Sequence, residues 1–138
     1  MRQLAMGKAM KVVGAVAGVL LLTACKSAIV GDWQSADPFC TDQSHDQITI
    51  NDDLTGTGSI ALACDAKTGS AVVCPANMIA TERTGRKGAW ELAADFGYCD
   101  AAKRDVGELY KECTLQSDDT QLRCCDPNGG DCFTYVQQ

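Results

Sequence analysis

The segment ELYKECTLQSDDTQLRCCDPNGGDC, residues 108–132, predicts the fold of this chain most directly. Two β-prone runs flank Asp118-Asp119, and aspartate is a typical turn residue. If these two aspartates form the centre of a hairpin, one register pairs two leucines and two cysteines: Leu115 with Leu122, and Cys113 with Cys124. Cross-strand partners lie on the same face of a sheet. A register that matches both pairs therefore indicates a real hairpin.

A second hairpin is indicated by Asn128-Gly129, which is a strong two-residue turn signal. A turn centred there places Cys125 opposite Cys132. A three-residue loop over 127–129 would instead place Cys124 opposite Cys132. Adjacent Cys124 and Cys125 point to opposite faces of a strand, so a bond between them would be strained. We expect a Cys113–Cys124 bridge across the first hairpin and a Cys125–Cys132 bridge across the second, because together they use both turns.

The remaining cysteines extend this disulfide framework. The chain has nine cysteines. Cys25 directly follows a predicted export signal and is not counted with the domain, which leaves eight. An even number of cysteines in an exported chain predicts a disulfide framework, here of four disulfides. The eight are Cys40, Cys64, Cys74, Cys99, Cys113, Cys124, Cys125 and Cys132. Cys64 and Cys74 flank a turn at Gly69 and are expected to pair, which leaves Cys40 with Cys99.

Metal binding is the alternative use of cysteines in this pattern. Structural zinc sites favour closely spaced ligand pairs such as C-x-x-C. The chain contains no C-x-x-C, and its only histidine is His45. We therefore predict no metal site and no cofactor.

Short β-prone runs separated by turn residues fill most of the remaining domain. The runs are 31–34, 47–50, 57–62, 71–74 (ending at Pro75), 78–84, 89–92 and 133–136, while 93–104 has enough alanine for a helical turn. We predict an all-β fold of about seven or eight short strands, either a small antiparallel β-barrel or a sandwich, stapled by disulfides.

The first 24 residues have the layout of a secretory signal: basic residues, then an apolar run, then small residues. The tetrad Leu22-Thr23-Ala24-Cys25 resembles the lipobox of bacterial lipoproteins. The resemblance implies cleavage before Cys25, a diacylglycerol on its sulfur and, in many bacteria, an acyl chain such as palmitate on its amino group. An uncleaved span is disfavoured because the 13 residues from Val12 to Ala24 fall short of about 20.

This resemblance predicts the boundaries of three segments and the cellular location of the protein. We predict a cleaved signal helix at 1–24, a lipidated tether at 25–30 and a disulfide-rich β-domain at 31–138. Lys26 in the position after the lipidated cysteine favours the outer membrane, by analogy with enteric bacteria. The periplasmic face and the cell surface both stay open. Met6 and Met10 are alternative starts to Met1, because a start at Met10 still leaves a workable signal.

The charge excludes one class of partner. Residues 1–24 hold three basic residues and no acidic one, so the formal charge falls from −6 for the whole chain to −9 without them. An acidic domain is not drawn to nucleic acid or to anionic lipid by simple electrostatics. We predict no binding to nucleic acid.

The order of features in the domain resembles that of bacterial lipocalin-like domains. These begin with a Gly-x-Trp strand, matched by Gly31-Asp32-Trp33, and continue into a strand and a Gly/Thr-rich turn, matched by 48–58. They end in a meander like the one at 110–136. The resemblance spans 31–136 and implies an antiparallel barrel, with binding of a small apolar ligand as its associated function.

Catalytic motifs are missing from the sequence. There is no G-x-S-x-G, P-loop or dinucleotide fingerprint. Ser44-His45-Asp46 is not a triad, because consecutive side chains diverge. The acidic residues at 52–53 and 126–131 do not follow the EF-hand pattern and are explained by turn formation. We predict that the protein is not an enzyme.

The sequence thus predicts a membrane-anchored envelope lipoprotein with a non-catalytic binding or structural domain. Its partners would be the membrane, through Cys25, and a small apolar ligand or an envelope protein. The residues expected to line the core or a cavity are aromatic: Trp33, Trp90, Tyr110, Phe133 and Tyr135. The alternative is an inhibitor or surface interaction module that presents the loop between Cys125 and Cys132. A hydrolase is a third, less favoured class.

Overall fold

The computed structural model describes residues 27–138, which contain ten strands and no helix. The strands are β1 Gly31–Ser35, β2 Gln47–Ile50, β3 Thr55–Cys64, β4 Ala71–Glu82, β5 Ala89–Asp95, β6 Tyr98–Cys99, β7 Arg104–Asp105, β8 Glu108–Gln116, β9 Gln121–Cys125 and β10 Cys132–Gln137. Eight of them close an antiparallel barrel in the order β1-β10-β9-β8-β5-β4-β3-β2, and β6 pairs with β7. The all-β prediction is confirmed, with a barrel in place of a sandwich. The signal at 1–24 and the lipidation at Cys25 lie outside the described residues.

The two carboxy-terminal hairpins have the predicted registers. Cys113 pairs with Cys124 and Leu115 with Leu122 across β8 and β9. Cys125 pairs with Cys132 across β9 and β10. Disulfides join both cysteine pairs, as expected.

The other two disulfides differ from the prediction. The structure contains Cys40–Cys64 and Cys74–Cys99, so the expected Cys64–Cys74 and Cys40–Cys99 pairs are wrong. Cys64 lies opposite Ala71 in the β3–β4 pair, beyond an irregularity in the register at 61–63. Cys74 is completely buried, whereas Cys64 is exposed at the end of its strand. The two cysteines therefore do not meet: Cys64 bonds to Cys40 in the connection between β1 and β2, and Cys74 bonds to Cys99 of β6.

Strand β4 is longer than the sequence suggests, because Pro75 does not end it. Pro75 pairs with Ser59 of β3, while pairing with β5 starts only at Asn77. At Pro75 the strand therefore has a neighbour on one side only. A proline is tolerated at such an edge because no ladder hydrogen bond is lost.

The end of the barrel at which β1 begins is closed by buried apolar side chains. Ile29, Trp33 and Trp90 are at most 3% exposed and belong to one core cluster with Ile50 and Leu122. The Trp33 indole Nε1 donates a hydrogen bond to the Ile29 carbonyl at 2.8 Å. Residues 29 and 30, which we assigned to the tether, are thus part of the folded domain, because Ile29 closes this end of the barrel.

Antiparallel strands distribute the connections between two ends of the barrel. The turns 51–54, 83–88 and 117–120 lie at the end where β1 begins, which we call the floor. The loops 36–46, 65–70, 96–107 and 126–131 lie at the opposite end, which we call the mouth. Three of the four disulfides involve a residue in or next to a mouth loop, and Cys113–Cys124 is the exception.

Candidate ligand cavity

A cavity of about 230 Å³ opens at the mouth of the barrel. Strand side chains alternate between the two faces, so every second residue of each strand points inward. The apolar part of the cavity wall is formed by inward residues of the strands and by two loop aromatics: Ile48, Ile60, Met78, Leu92, Phe39 and Phe96. A larger depression of about 460 Å³ lies against Thr57, Ser59 and Asn77 and is open and polar. The mouth cavity is therefore the candidate site for an apolar ligand.

Small residues on the inward faces shape the wall of this cavity and let its neighbours pack closely. Ala94 of β5 is buried and lines it. A Cβ at Gly58 of β3 would lie 2.8 Å from the Met78 Sδ, so glycine lets that side chain lie against the strand. The neighbouring Gly56 has no room at all, because a Cβ there would lie 1.8 Å from the Thr49 carbonyl oxygen. These glycines allow the backbone of β2 and the Met78 side chain to lie close to β3.

The cavity has one deeply buried charged group, Asp46. Its side chain points inward just before β2, and the residue is 6% exposed. Its Oδ1 accepts a hydrogen bond from the Ala61 backbone N–H at 2.8 Å, and its Oδ2 accepts one from the Tyr135 hydroxyl at 3.4 Å. Pairing of β2 with β3 has ended at Gln47, so the carboxylate takes the place of a backbone acceptor. Asp46 thus holds the Ala61 segment against β2 and also faces the cavity.

Burial sets the proton affinity of this pair. Desolvation raises the pKa of Asp46, against the opposing effects of the Ala61 N–H, the Tyr135 hydroxyl and the charges of Lys111 and His45. Desolvation, followed by the negative charge of Asp46, also raises the pKa of Tyr135 well above its ordinary value. Tyr135 therefore stays neutral and donates its proton toward Asp46. Ionised Asp46 is a buried charge that a cation in the cavity would stabilise.

The rim of the cavity is also charged. Lys111 Nζ forms an ion pair with Asp126 and lies 5.6 Å from the centre of the Phe133 ring. Phe133 in turn packs on Phe39, with ring centroids 5.9 Å apart. Asp131 is the further charged residue on the lining. With Asp46, three carboxylates and one ammonium group surround the cavity.

The structure separates the five aromatic residues predicted to line the core or a cavity. Trp33 and Trp90 are buried in the floor, and the Trp90 indole N–H has no partner among the described residues. Phe133 and Tyr135 line the cavity. Tyr110 is a correction: it is 46% exposed on the outside, because Cys113 and Lys111 of the same strand point inward and Tyr110 has the opposite parity.

Sequence reasoning missed Asp46 and Lys111 as cavity residues. A signal for Asp46 was present, because it precedes the inward Ile48 and Ile50 at the same two-residue spacing. His45, which drew attention as the single histidine, uses its Nδ1 in a 2.7 Å hydrogen bond with the Ser35 carbonyl. It belongs to the β1–β2 connection.

Charged side chains outside the cavity have local roles. Arg83, in the turn 83–88, forms ion pairs with Glu112 and Glu91 on the outer surface. Over the part of the chain from residue 27 onward, no group of three or more His, Cys, Asp or Glu side chains has an arrangement that could hold a metal ion. The same stretch has no helix with the length and apolar character needed to cross a membrane.

Comparison with known proteins gives no relative: the chain matches no protein-family model, no curated protein and no solved structure.

Proposed function

We propose that this protein is a non-catalytic envelope lipoprotein, anchored through lipid on Cys25, whose barrel binds a small apolar ligand in the mouth cavity. The observation that supports the proposal is the cavity itself, a space of about 230 Å³ with a largely apolar wall, one buried carboxyl group at Asp46 and charged residues at its rim. Small-molecule sites are typically concave and apolar with a few placed polar groups. The Gly-x-Trp strand β1 and the closed barrel support the likeness to lipocalin-like domains.

The size of the cavity limits the ligand. Sites for drug-sized molecules are about 300–1,000 Å³, so this one is smaller. A water molecule occupies about 30 Å³ in the liquid, so the space corresponds to roughly eight water-sized groups. The ligand, or the part of it that enters, is therefore a short chain or a single ring.

The position of Ile29 sets the direction in which the cavity opens. Ile29 is buried in the floor, and an extended chain from Cys25 to Ile29 spans about 14 Å at most. A lipid on Cys25 would hold the floor close to the bilayer. The mouth is at the opposite end of the barrel. We infer that the cavity opens toward the aqueous compartment and takes its ligand from there.

The test compares two alanines that are neighbours on β5. Ala94 lines the cavity, whereas Ala93 has the opposite parity and pairs with Ile79 and Tyr110, both exposed. Native mass spectrometry of the protein extracted gently from its own membrane should show added small-molecule mass. We expect Ala94→Leu to lose that mass and Ala93→Leu to keep it, with both variants checked for folding by circular dichroism. Retention of the ligand by a folded Ala94→Leu variant would refute the proposal.

The alternative is an interaction module that presents the loop 126–131. The Cys125–Cys132 bridge closes this loop, and the Asp126 backbone N–H donates to the Asp131 carbonyl at 3.1 Å. Its tip is exposed, with Gly129 at a φ of +75°. A bare chain in the native spectrum, together with a one-to-one protein complex lost on changing Asn128 at the tip, would favour this function.

A further inference from the structure

We propose that the ligand of the mouth cavity carries a protonated amine that pairs with Asp46, so that the ligand class is a small cationic amphiphile. This inference rests on the proposed function, since it names the chemistry of the ligand that the cavity takes. It comes from three features of the cavity: its unused hydrogen-bond acceptors, the arrangement of its charges and its size.

The buried polar atoms of the cavity are acceptors. A carboxylate has about four lone-pair sites, and Asp46 uses one for the Ala61 N–H and one for the Tyr135 hydroxyl. Tyr135 gives its only proton to Asp46, so its oxygen can only accept from a ligand. A complementary ligand group is therefore a hydrogen-bond donor. An alcohol or an amine fits, whereas an ionised carboxylate has no proton to give.

The charges around the cavity choose between these two donors. Lys111 is the basic residue on the lining, and its ammonium group is paired with Asp126 over the Phe133 ring. The lining carries three carboxyl groups against this one ammonium group, and Asp46 and Asp131 have no ion-pair partner within 4 Å among the residues described here. A group that carries positive charge satisfies both the empty acceptor sites and this excess. Charge-assisted hydrogen bonds are about twice as strong as neutral ones.

The apolar walls supply the rest of the contact. Ile48, Met78 and Leu92 surround the space, and its volume corresponds to roughly eight water-sized groups. A six-carbon chain with one nitrogen has seven such groups by construction and matches this space. An n-hexylammonium ion can thus place its nitrogen at Asp46 while its chain lies against the apolar wall.

The experiment uses the mature lipoprotein in nanodiscs of zwitterionic lipid, with empty nanodiscs subtracted. Isothermal titration at pH 7 measures three probes of equal chain length: n-hexylamine, hexan-1-ol and hexanoate. We expect hexylamine to bind at least about tenfold more tightly than hexan-1-ol, and hexanoate to bind weakest. Asp46→Asn should reduce the affinity for hexylamine about tenfold and change that for hexan-1-ol less than about twofold. Asp118→Asn, in an exposed turn of the floor, is the matched control and should change neither.

The outcomes separate this inference from the proposed function. If hexan-1-ol binds and hexylamine has no advantage, or if folded Asp46→Asn keeps full affinity for the amine, the amine assignment is wrong and ligand binding stands. If hexanoate binds best, Asp46 does not set the ligand class. If none of the three probes binds to the wild-type protein, both proposals fail.

Discussion

Replacing Ile29 by alanine should destabilise the protein strongly, although the residue lies only four positions after the predicted lipidation site. Ile29 is completely buried, and its carbonyl accepts the hydrogen bond of the Trp33 indole. The change removes three carbon atoms, each worth about 0.8 kcal/mol of transfer free energy. That gives roughly 2.4 kcal/mol, and the cavity that remains raises the expected loss to about 3–4 kcal/mol.

The matched control is Ile79→Ala, the same substitution at a residue that is 56% exposed on the outside of β4. We expect it to cost at most about 1 kcal/mol, mainly through lower β-propensity. Urea unfolding followed by tryptophan fluorescence measures both variants, because Trp33 and Trp90 are buried in the native state. Equal losses for the two variants would refute the conclusion that Ile29 closes the floor of the barrel.

Three further predictions follow from the barrel and its cavity. Gly56→Ala brings a Cβ within 1.8 Å of a backbone carbonyl of β2 and should cost about 3 kcal/mol or prevent folding, whereas Gly129→Ala, at a φ of +75° in open space, should cost about 1–2 kcal/mol in the same urea assay. Replacing Cys74 and Cys99 together by alanine frees a loop with a sequence separation of 25 residues and should cost about 3 kcal/mol in thermal unfolding, so an unchanged midpoint would contradict the assigned bridge. Burial raises the pKa of Asp46. At a pH between the ordinary and the raised pKa, the folded state therefore keeps a proton that the unfolded state has lost, and the free energy of unfolding falls as the pH rises through that window. Asp46→Asn should remove this pH dependence, and a pH series of unfolding curves in which this variant keeps the wild-type slope would contradict the account. Asp46→Ala should cost about 1–3 kcal/mol of stability, because it leaves a backbone N–H of β3 without its acceptor.

The parts of the fold that sequence could predict are those that depend on local turn chemistry. One turn at Asp118-Asp119 aligned two pairs of like residues, and the resulting register is the one in the structure. Cys64 and Cys74 also flank a turn, but the register between their strands shifts at 61–63. A one-residue shift moves a side chain to the opposite face of a sheet. Sequence gives no sign of such a shift, so this half of the disulfide pattern was not predictable.

The candidate site was also only partly predictable from sequence. Parity along β8 was available once Cys113 was placed inward, and it would have put Tyr110 outside the barrel. Parity along β2 would likewise have placed Asp46 inside with Ile48. The ion pair between Lys111 and Asp126 joins a strand to a mouth loop, and that contact depends on how the loop folds back. Alternation predicts which residues face the interior, whereas closure of the barrel determines which of them meet.

The most direct test of the central claim, that the mouth cavity is the ligand site, is an isoleucine methyl NMR titration with n-hexylamine. Residues 27–138 contain five isoleucines, of which Ile48 and Ile60 line the cavity and Ile79 lies outside the barrel. We predict that the methyl signals of Ile48 and Ile60 shift in a saturable manner while the Ile79 signal stays in place. Unchanged Ile48 and Ile60 signals, or a saturable shift at Ile79 alone, would contradict the account.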